Sequence, residues 1–267
     1  MHRPFTLSRN SRVIVVYPMR TIRNNMKAAA RLEALCAALE VYTRVERLGR
    51  DEMTTGFADA ADLVISVGGD GTALAAAHYL DQTPLLSLKL NDSSIGYLCA
   101  TDVVQASNVV AKLFDGGAYS VMRQRMALEI NGEVVGMPAY NDILIAHACP
   151  ARASRYVLCQ NDLRETHCSS GIWFATACGS HAAARAAGAT PLSVDDARFL
   201  FRIRELGYAD VADPTIGMTF DVEHAPAFLA LDNHLMAFGD GDLWHIAIPQ
   251  NASLRVVLAA PLFAITL

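Results

Sequence analysis

Five consecutive residues, Gly68, Gly69, Asp70, Gly71 and Thr72, have types suited to work on a phosphate-bearing substrate. They lie between the apolar run DLVISV (62–67) and the alanine-rich run TALAAAHYL (72–80). Glycine lets a backbone approach a phosphate and turn its N–H groups toward it, and a helix starting there adds the positive end of its dipole. A carboxylate repels phosphate, so Asp70 must serve a different purpose, either handling Mg2+ or receiving a hydroxyl that must give up its proton. Thr72 suits a helix cap or a donor to a phosphate oxygen. The plainer alternative is a glycine-rich turn with an aspartate cap. The stretch fits neither G-x-x-x-x-G-K-[ST] nor G-x-G-x-x-G. With no P-loop lysine, another cation must offset a triphosphate, Mg2+ first and an arginine second.

Such a loop needs a strand before it and a helix after it, and the flanking patterns supply both. RVIVVYPM (12–19), DLVISV and PLLSLKL (84–90) read as buried strands. RNNMKAAARLEALCAALEVY (23–42) and TALAAAHYL read as helices. Strand and helix alternate at parallel-sheet spacing, which predicts an open α/β domain. After turn residues at FDGGAYS (114–120), short alternating runs dominate, among them YNDILIAH, SRYVLCQND, GIWFATA and GMTFDVEH. They predict antiparallel β structure, interrupted by helical character at 180–189 and 193–208. LDNHL (231–235) and FGDGDLWHI (238–246) read as hairpin turns. Arg123 and Arg125 alternate on one strand face, either as a solvated edge or as a contact to phosphate or a partner chain. Arg152 and Arg155 leave the same two options.

Composition bounds the function. The 267 residues are 52% hydrophobic and 18% charged, enough for a sizeable core. The net charge of −5 argues against nucleic acid as a partner. No apolar stretch reaches the length of a membrane span, and the basic start MHRPFTLSRNSR lacks a secretory apolar core. The six cysteines form no C-x-x-C pair and are expected to be reduced and intracellular. No Cys/His cluster has ligand spacing, so no protein-bound metal is expected.

VGGDGT (67–72) resembles the signature shared by NAD kinases, diacylglycerol kinases and sphingosine kinases. YNDILI (140–145) resembles the Asn-Glu motif of NAD kinases, with Asp142 in place of Glu. SSGIWFATACGSHAA (169–183) resembles their Ser-Asp-Gly, short strand and Thr-Pro-Thr-Gly-Ser-Thr turn. The order and spacing agree over roughly residues 12–185, and the chain is identified by this resemblance as a member of the NAD kinase family. Its departures, including SSG and NDSSIGYLCATD (91–102), resemble the mitochondrial-type branch and its bacterial relatives.

The resemblance implies an NAD kinase-like fold: a Rossmann-like open α/β domain over 1–118, and a β-rich, β-sandwich-like NAD-binding domain over 119–250. The tail, 251–267, would pack back on the first domain or on a subunit interface. It implies transfer of the γ-phosphoryl group of ATP, with Mg2+, to the 2′-hydroxyl of the adenosine ribose of NAD or NADH. Asp70 would be the catalytic base or hydroxyl-orienting group, and Gly68, Gly69, Gly71 and Thr72 would line the phosphate path. Asn141 and Asp142 would hold the ribose diol, the alternative being a polar turn. Thr176, Gly179 and Ser180 would face the nucleotide, their hydroxyls donating to phosphate or adenine. His181 offers either a partial positive charge to phosphate or a helix start. Ser170 stands where the family has Asp, and Ala183 where a ring commonly sits, which removes a carboxylate and a stacking contact. A cytoplasmic homodimer or higher homo-oligomer is expected, with no nucleic-acid or membrane partner. Two alternatives remain: a kinase of the same superfamily acting on another hydroxyl, of a nucleoside or lipid headgroup, and a non-catalytic NAD(P)-binding sensor.

Overall fold

β-Branched and leucine-rich runs become strands wherever both faces can be covered, and alanine-rich runs become the helices that cover them. A computed structural model describes residues 2–90, 97–99, 101–134, 138–147, 149, 151–160, 163–204, 209–212, 218–223, 227–232, 234–237, 244–248 and 251–258. Helices are α1 (Met19–Asn24), α2 (Met26–Glu40), α3 (Asp70–Tyr79), α4 (Ala106–Phe114) and α5 (Ala183–Ala186). The first strands are β1 (Arg3–Phe5), β2 (Arg12–Tyr17), β3 (Arg44–Gly49), β4 (Leu63–Gly68), β5 (Leu85–Lys89), β6 (Thr101–Asp102) and β7 (Ala118–Met126). Next come β8 (Glu129–Ile130), β9 (Glu133–Val134), β10 (Asp142–His147), β11 (Ser154–Gln160), β12 (Leu163–Ser169), β13 (Ile172–Ala175) and β14 (Phe199–Ile203). The last are β15 (Ala209–Ala212), β16 (Met218–Glu223), β17 (Ala227–Leu231), β18 (His234–Ala237), β19 (Trp244–Ile248) and β20 (Asn251–Leu258). The chain divides into two units, residues 1–122 with the stretch from 254 onward, and residues 123–253.

The first unit holds a sheet in the order β1-β7-β20-β5-β4-β2-β3, with β6 also on β5. β3, β2, β4 and β5 pair in parallel, as do β5 and β20. Every residue of β4 is buried, as expected for a parallel strand covered on both faces. Leu63, Ile65 and Val67 join one apolar cluster with Leu32, Leu35, Cys36 and Leu39 of α2 and Val109, Val110 and Leu113 of α4. The α2 residues follow the i, i+3, i+4, i+7 spacing of one helix face, and each buried leucine contributes about 1.5–3 kcal/mol. On the alternate face Ser66 donates to its cross-strand neighbour Ser87 at 2.8 Å, so the buried hydroxyls satisfy each other.

The second unit contains two six-stranded sheets, β15-β14-β13-β10-β17-β18 and β12-β11-β16-β19-β8-β9. Neighbours in them pair antiparallel. Asn131 and Gly132, at φ 53° and 85°, make the two-residue turn joining β8 to β9. Asn-Gly is the dipeptide that tolerates this doubly left-handed turn best. The architecture is therefore an α/β unit with a largely parallel sheet followed by an antiparallel, strand-rich unit, as expected.

Three local expectations differ. The helix expected over 23–42 is two, because Asn25 leaves helical geometry (φ −141°) and its side chain accepts from Ala28 N–H at 3.0 Å as the N-cap of α2. The stretch 193–208, expected to carry helical character, instead forms β14 over 199–203, where Phe199, Leu200, Phe201 and Ile203 are buried and Phe201 pairs with Phe174. An apolar, aromatic five-residue run suits either state by pattern, and the neighbouring strand decides. The charged Arg44–Gly49 stretch, which carried no strand expectation, is the edge strand β3. The hairpin at 231–235 forms as expected, with Leu231 paired to His234, whereas the second expected hairpin turn, at 238–243, lies outside the described residues. Among the described residues no helix is long and apolar enough to cross a membrane.

Candidate functional site

In the first unit the glycine-rich stretch lies at the end of β4 and the start of α3. Gly68 closes the strand, Gly69 is the N-cap in extended geometry, and Asp70 is the first helical residue. Gly69 O accepts from Thr72 N–H and Ala73 N–H at 2.9 and 3.2 Å. The N–H groups of Asp70 and Gly71 therefore begin the helix ahead of its hydrogen-bond ladder, the arrangement that favours an anion. Gly68 is required by packing: a Cβ there would overlap the Thr72 hydroxyl. Thr72 is correspondingly buried and is the third helical residue, the N-cap position being Gly69. The helix-cap role considered for Thr72 is thus not the one it plays.

Asp70 is half-buried, and both its oxygens are engaged. Oδ2 accepts from Tyr97 N–H at 3.0 Å and Oδ1 from Leu98 N–H at 2.9 Å. The carboxylate is thereby fixed in place across 27 residues of sequence. It also adds to the burial that pushes the next thiol, Cys99, up to about 12, so Cys99 stays protonated.

In the second unit Asn141 and Asp142 begin β10 and are both buried. Asn141 Nδ2 donates to Asp142 Oδ2 at 2.8 Å. Burial first, and the charge of Asp232 second, raise the Asp142 carboxyl to about 7, while the Asn141 amide pulls the other way. The pair can therefore donate or accept near neutral pH, which suits a sugar diol. The turn after β13 braces this pair. Thr176 Oγ1 donates to Tyr140 O at 2.7 Å and accepts from Gly179 N–H at 3.0 Å, and Thr176 N–H donates to Asn141 O at 3.0 Å. Gly179 lies against the Asn141 carbonyl, where any Cβ would overlap it.

The structure thus brings Asn141, Asp142, Thr176 and Gly179 together, but uses the hydroxyls differently from the roles the resemblance implied. Ser180 is fully buried, donating to Ala177 O at 2.7 Å and accepting from Leu192 N–H at 2.9 Å. His181 Nε2 lies 2.9 Å from Leu192 O. Thr176 and Ser180 therefore hold the turn's shape. Ser170 is not brought to this turn. It lies beyond the Ile172–Ile145 end of the β13–β10 ladder, whereas Asp142 pairs with Ala175 at the other end, more than about 10 Å along the strand. The Ser170 carbonyl accepts from Arg204 Nη1 at 3.2 Å.

For the arginines of β7, one of the two options, the solvated edge, falls away. Arg123 and Arg125 are buried rather than on a solvated edge. Arg123 Nη1 donates to Val194 O at 3.0 Å and pairs with Asp195 at 2.5 Å. Arg152 and Arg155 are exposed.

Sequence reasoning missed Asp232, which it took for a hairpin turn residue alone. Its carboxylate accepts from Tyr140, Asn141 and Asp142 N–H at 2.9, 2.6 and 3.1 Å. No local signal marks a partner some 90 residues away. Among the described residues no group of three or more His, Cys, Asp or Glu side chains is placed to hold a metal.

The family profile of the ATP-NAD kinase N-terminal domain matches residues 6–119. A probable NADH kinase of Oryza sativa subsp. japonica is 29% identical over 243 residues, covering 82% of this chain and 74% of the relative. An NAD kinase of Methanosarcina mazei is 33% identical over 187 residues, covering 68% of this chain and 61% of the relative. In fold, the chain matches yeast NADH kinase solved with NADH at a TM-score of 0.77, with 14% identity over 97% of this chain and 89% of that one. It matches an Archaeoglobus fulgidus NAD kinase solved with ATP at 0.71, with 18% identity over 93% of each chain. With the GGDGT helix start and the Asn-Asp strand start in place, the chain belongs to the NAD kinase family.

Proposed function

We propose that the protein is an NAD kinase, transferring the γ-phosphoryl group of ATP to the 2′-hydroxyl of the adenosine ribose of NAD or NADH. The observation that carries this reading is Asp70, held by two backbone N–H groups at the first turn of α3 within the family's signature. In the transfer the 2′-oxygen bonds to the γ-phosphorus, the bond from that phosphorus to the ADP oxygen breaks, and the hydroxyl proton must leave. Asp70 orients the hydroxyl and accepts its proton. Its tethering fixes the carboxylate before substrate arrives, which is how positioning lowers a barrier. Gly68, Gly69, Gly71 and Thr72 shape the phosphate-facing helix start, and the leading N–H groups of α3 offset phosphate charge. Asn141 and Asp142 hold ribose hydroxyls through an amide donor and a carboxyl that titrates near neutrality. Thr176, Gly179 and Ser180 keep that pair in register, and His181 extends the same turn. The Asp-to-Ser change at Ser170 removes a carboxylate elsewhere on the β10–β13 ladder.

Mg2+ is the natural companion of the donor phosphates. Among the described residues no carboxylate cage for it forms, both Asp70 oxygens accept N–H bonds, and burial raises the Asp142 carboxyl to about 7. The ion would be carried largely by phosphate oxygens and water, as Mg2+ often is. A homo-oligomer and a cytoplasmic setting complete the reading, the first checked by light scattering. Two relatives are named NADH kinases, so NADH belongs beside NAD in any assay.

The test is NADP(H) formation from NAD or NADH with Mg-ATP, run beside Asp70→Asn. We expect the wild type to form product and the variant to lose roughly 10²–10⁴ in rate, the usual range for a positioned proton acceptor. A wild type that binds NAD(H) yet makes no product would sink the reading. The shortened Asp142 and the Ser170 and Ala183 changes favour, as second reading, a kinase of another hydroxyl, which a panel of nucleoside and lipid-headgroup acceptors would expose.

A further inference from the structure

The hairpin between β17 and β18 turns at Asp232, a residue type that suits such a turn and whose carboxylate here does more than shape it. Asp232 adopts φ 49°, the left-handed region in which side chains are held only by their surroundings. Its own N–H donates to Asp142 O at 2.8 Å. Its carboxylate gathers the three consecutive N–H groups of residues 140–142. Converging backbone N–H groups of this kind form a nest that fixes both the anion and the backbone supplying them. Here the backbone is the one that carries Asn141 and Asp142.

Resting on the reading of Asn141 and Asp142 as the ribose-binding pair, we propose that Asp232 is a positioning residue for the dinucleotide. Its carboxylate locks the 140–142 backbone, and its charge adds to the burial that favours the protonated form of Asp142. The two carboxyls differ in what surrounds them. Asp232 accepts from three backbone N–H groups, contacts that favour the ionised form of a carboxyl. Asp142 is buried and has one donor, Asn141 Nδ2, so the proton of the pair resides there, and its carboxyl is raised to about 7. Such divided environments assign donor and acceptor roles within an acidic pair. Of the groups packed on Asp142, β13 presents the uncharged Ala175, the hairpin presents Asp232 and its own turn presents Asn141. Asp232 is therefore the charged group beside Asp142 among the described residues, its effect second to that of burial.

An ionised Asp142 accepts charge-assisted hydrogen bonds from ribose hydroxyls, whereas the protonated form offers weaker neutral ones. Dinucleotide affinity should accordingly rise with pH through about 7. Asp232→Asn keeps the size, keeps one acceptor oxygen and tolerates the left-handed backbone, so it should fold. It removes the charge and part of the nest. Three measurements test the proposal: NAD(H) binding by calorimetry from pH 5.5 to 9, KM and kcat over the same range, and the carboxyl carbon NMR titration of Asp142, assigned with Asp142→Asn.

The expected result for Asp232→Asn is a dissociation constant and KM for NAD(H) raised at least 10-fold at pH 9, where Asp142 is ionised in both proteins and only the loosened 140–142 backbone differs, with kcat within about 3-fold and the Asp142 midpoint moved toward acid. Asp142→Asn should flatten the pH dependence of binding. Unchanged affinity and an unchanged Asp142 midpoint in Asp232→Asn would overturn the proposal, as would a wild type that binds no dinucleotide. A wild type that binds NAD(H) without transferring phosphate would instead defeat the kinase reading, leaving the affinities and midpoints to decide this one.

Discussion

Asp142 shows how much one buried carboxyl can govern. Its folded value of about 7 lies above the ordinary 3.8, so between those pH values the native state holds a proton that the unfolded chain releases. Stability then falls as pH rises across that window and is flat above it. Asp142→Asn removes the titration, so its stability relative to wild type should improve from pH 5 to pH 8, by on the order of a few kcal/mol. Denaturant midpoints at the two pH values give the answer, and an equal offset at both would refute it. At this scale, residue types in the sequence marked Asp70, Asn141 and Asp142 as chemical. They did not reveal that Thr176 and Ser180 turn their hydroxyls inward, because a hydroxyl's partner is set by the fold of the turn. Asp232 was hidden for the same reason: its donors lie on a segment 90 residues away.

At the scale of elements, helix α2 depends on its start. Asn25 breaks the preceding helix and caps the next, with Ala28 N–H as the bonded group. Asn25→Ala should lower stability by about 1 kcal/mol, the usual value of such a cap, read from chemical unfolding; a neutral result would mean that water replaces the side chain. The parallel strands β2, β4 and β5 were legible because both faces are buried and the runs are continuously apolar. β3 was not, because an edge strand can carry charge, and Arg47 of β3 meets Glu33 and Glu40 of α2 at 2.8 and 3.1 Å. β14 was misjudged because mixed charged and apolar residues at 193–208 mimic a helical period, whereas pairing with β13 rewards the aromatic positions. The pairing of the buried Arg123 with the exposed Asp195 likewise needs the 194–195 turn, which the alternation in β7 could not indicate.

At the scale of the whole molecule, the two kinds of sheet were visible in the change from long strand–helix alternation to short alternating runs near residue 118. The sheet order was not, since pairing partners distant in sequence leave no periodic trace. The tail was expected to pack back on the first domain or on a subunit interface, but not as a strand inside the sheet: β20 lies between β7 and β5 although its residues come 125 or more positions after those of β7 end. Truncation after residue 250 would strip β7 and β5 of their shared partner and open one edge of each, and buried strands with open N–H and C=O groups are poorly tolerated. We expect such a chain to be insoluble or to lose the first unit's cooperative unfolding transition; a soluble product with native-like amide protection in β4 and β5 would contradict this. The same strand sets an order on the ribosome. Residues 123–253 are contiguous and can fold as they emerge, but the sheet that carries Asp70 cannot close until residue 258 has been synthesised. The part made first is therefore finished last, and its half-built apolar edges are what a chaperone would meet.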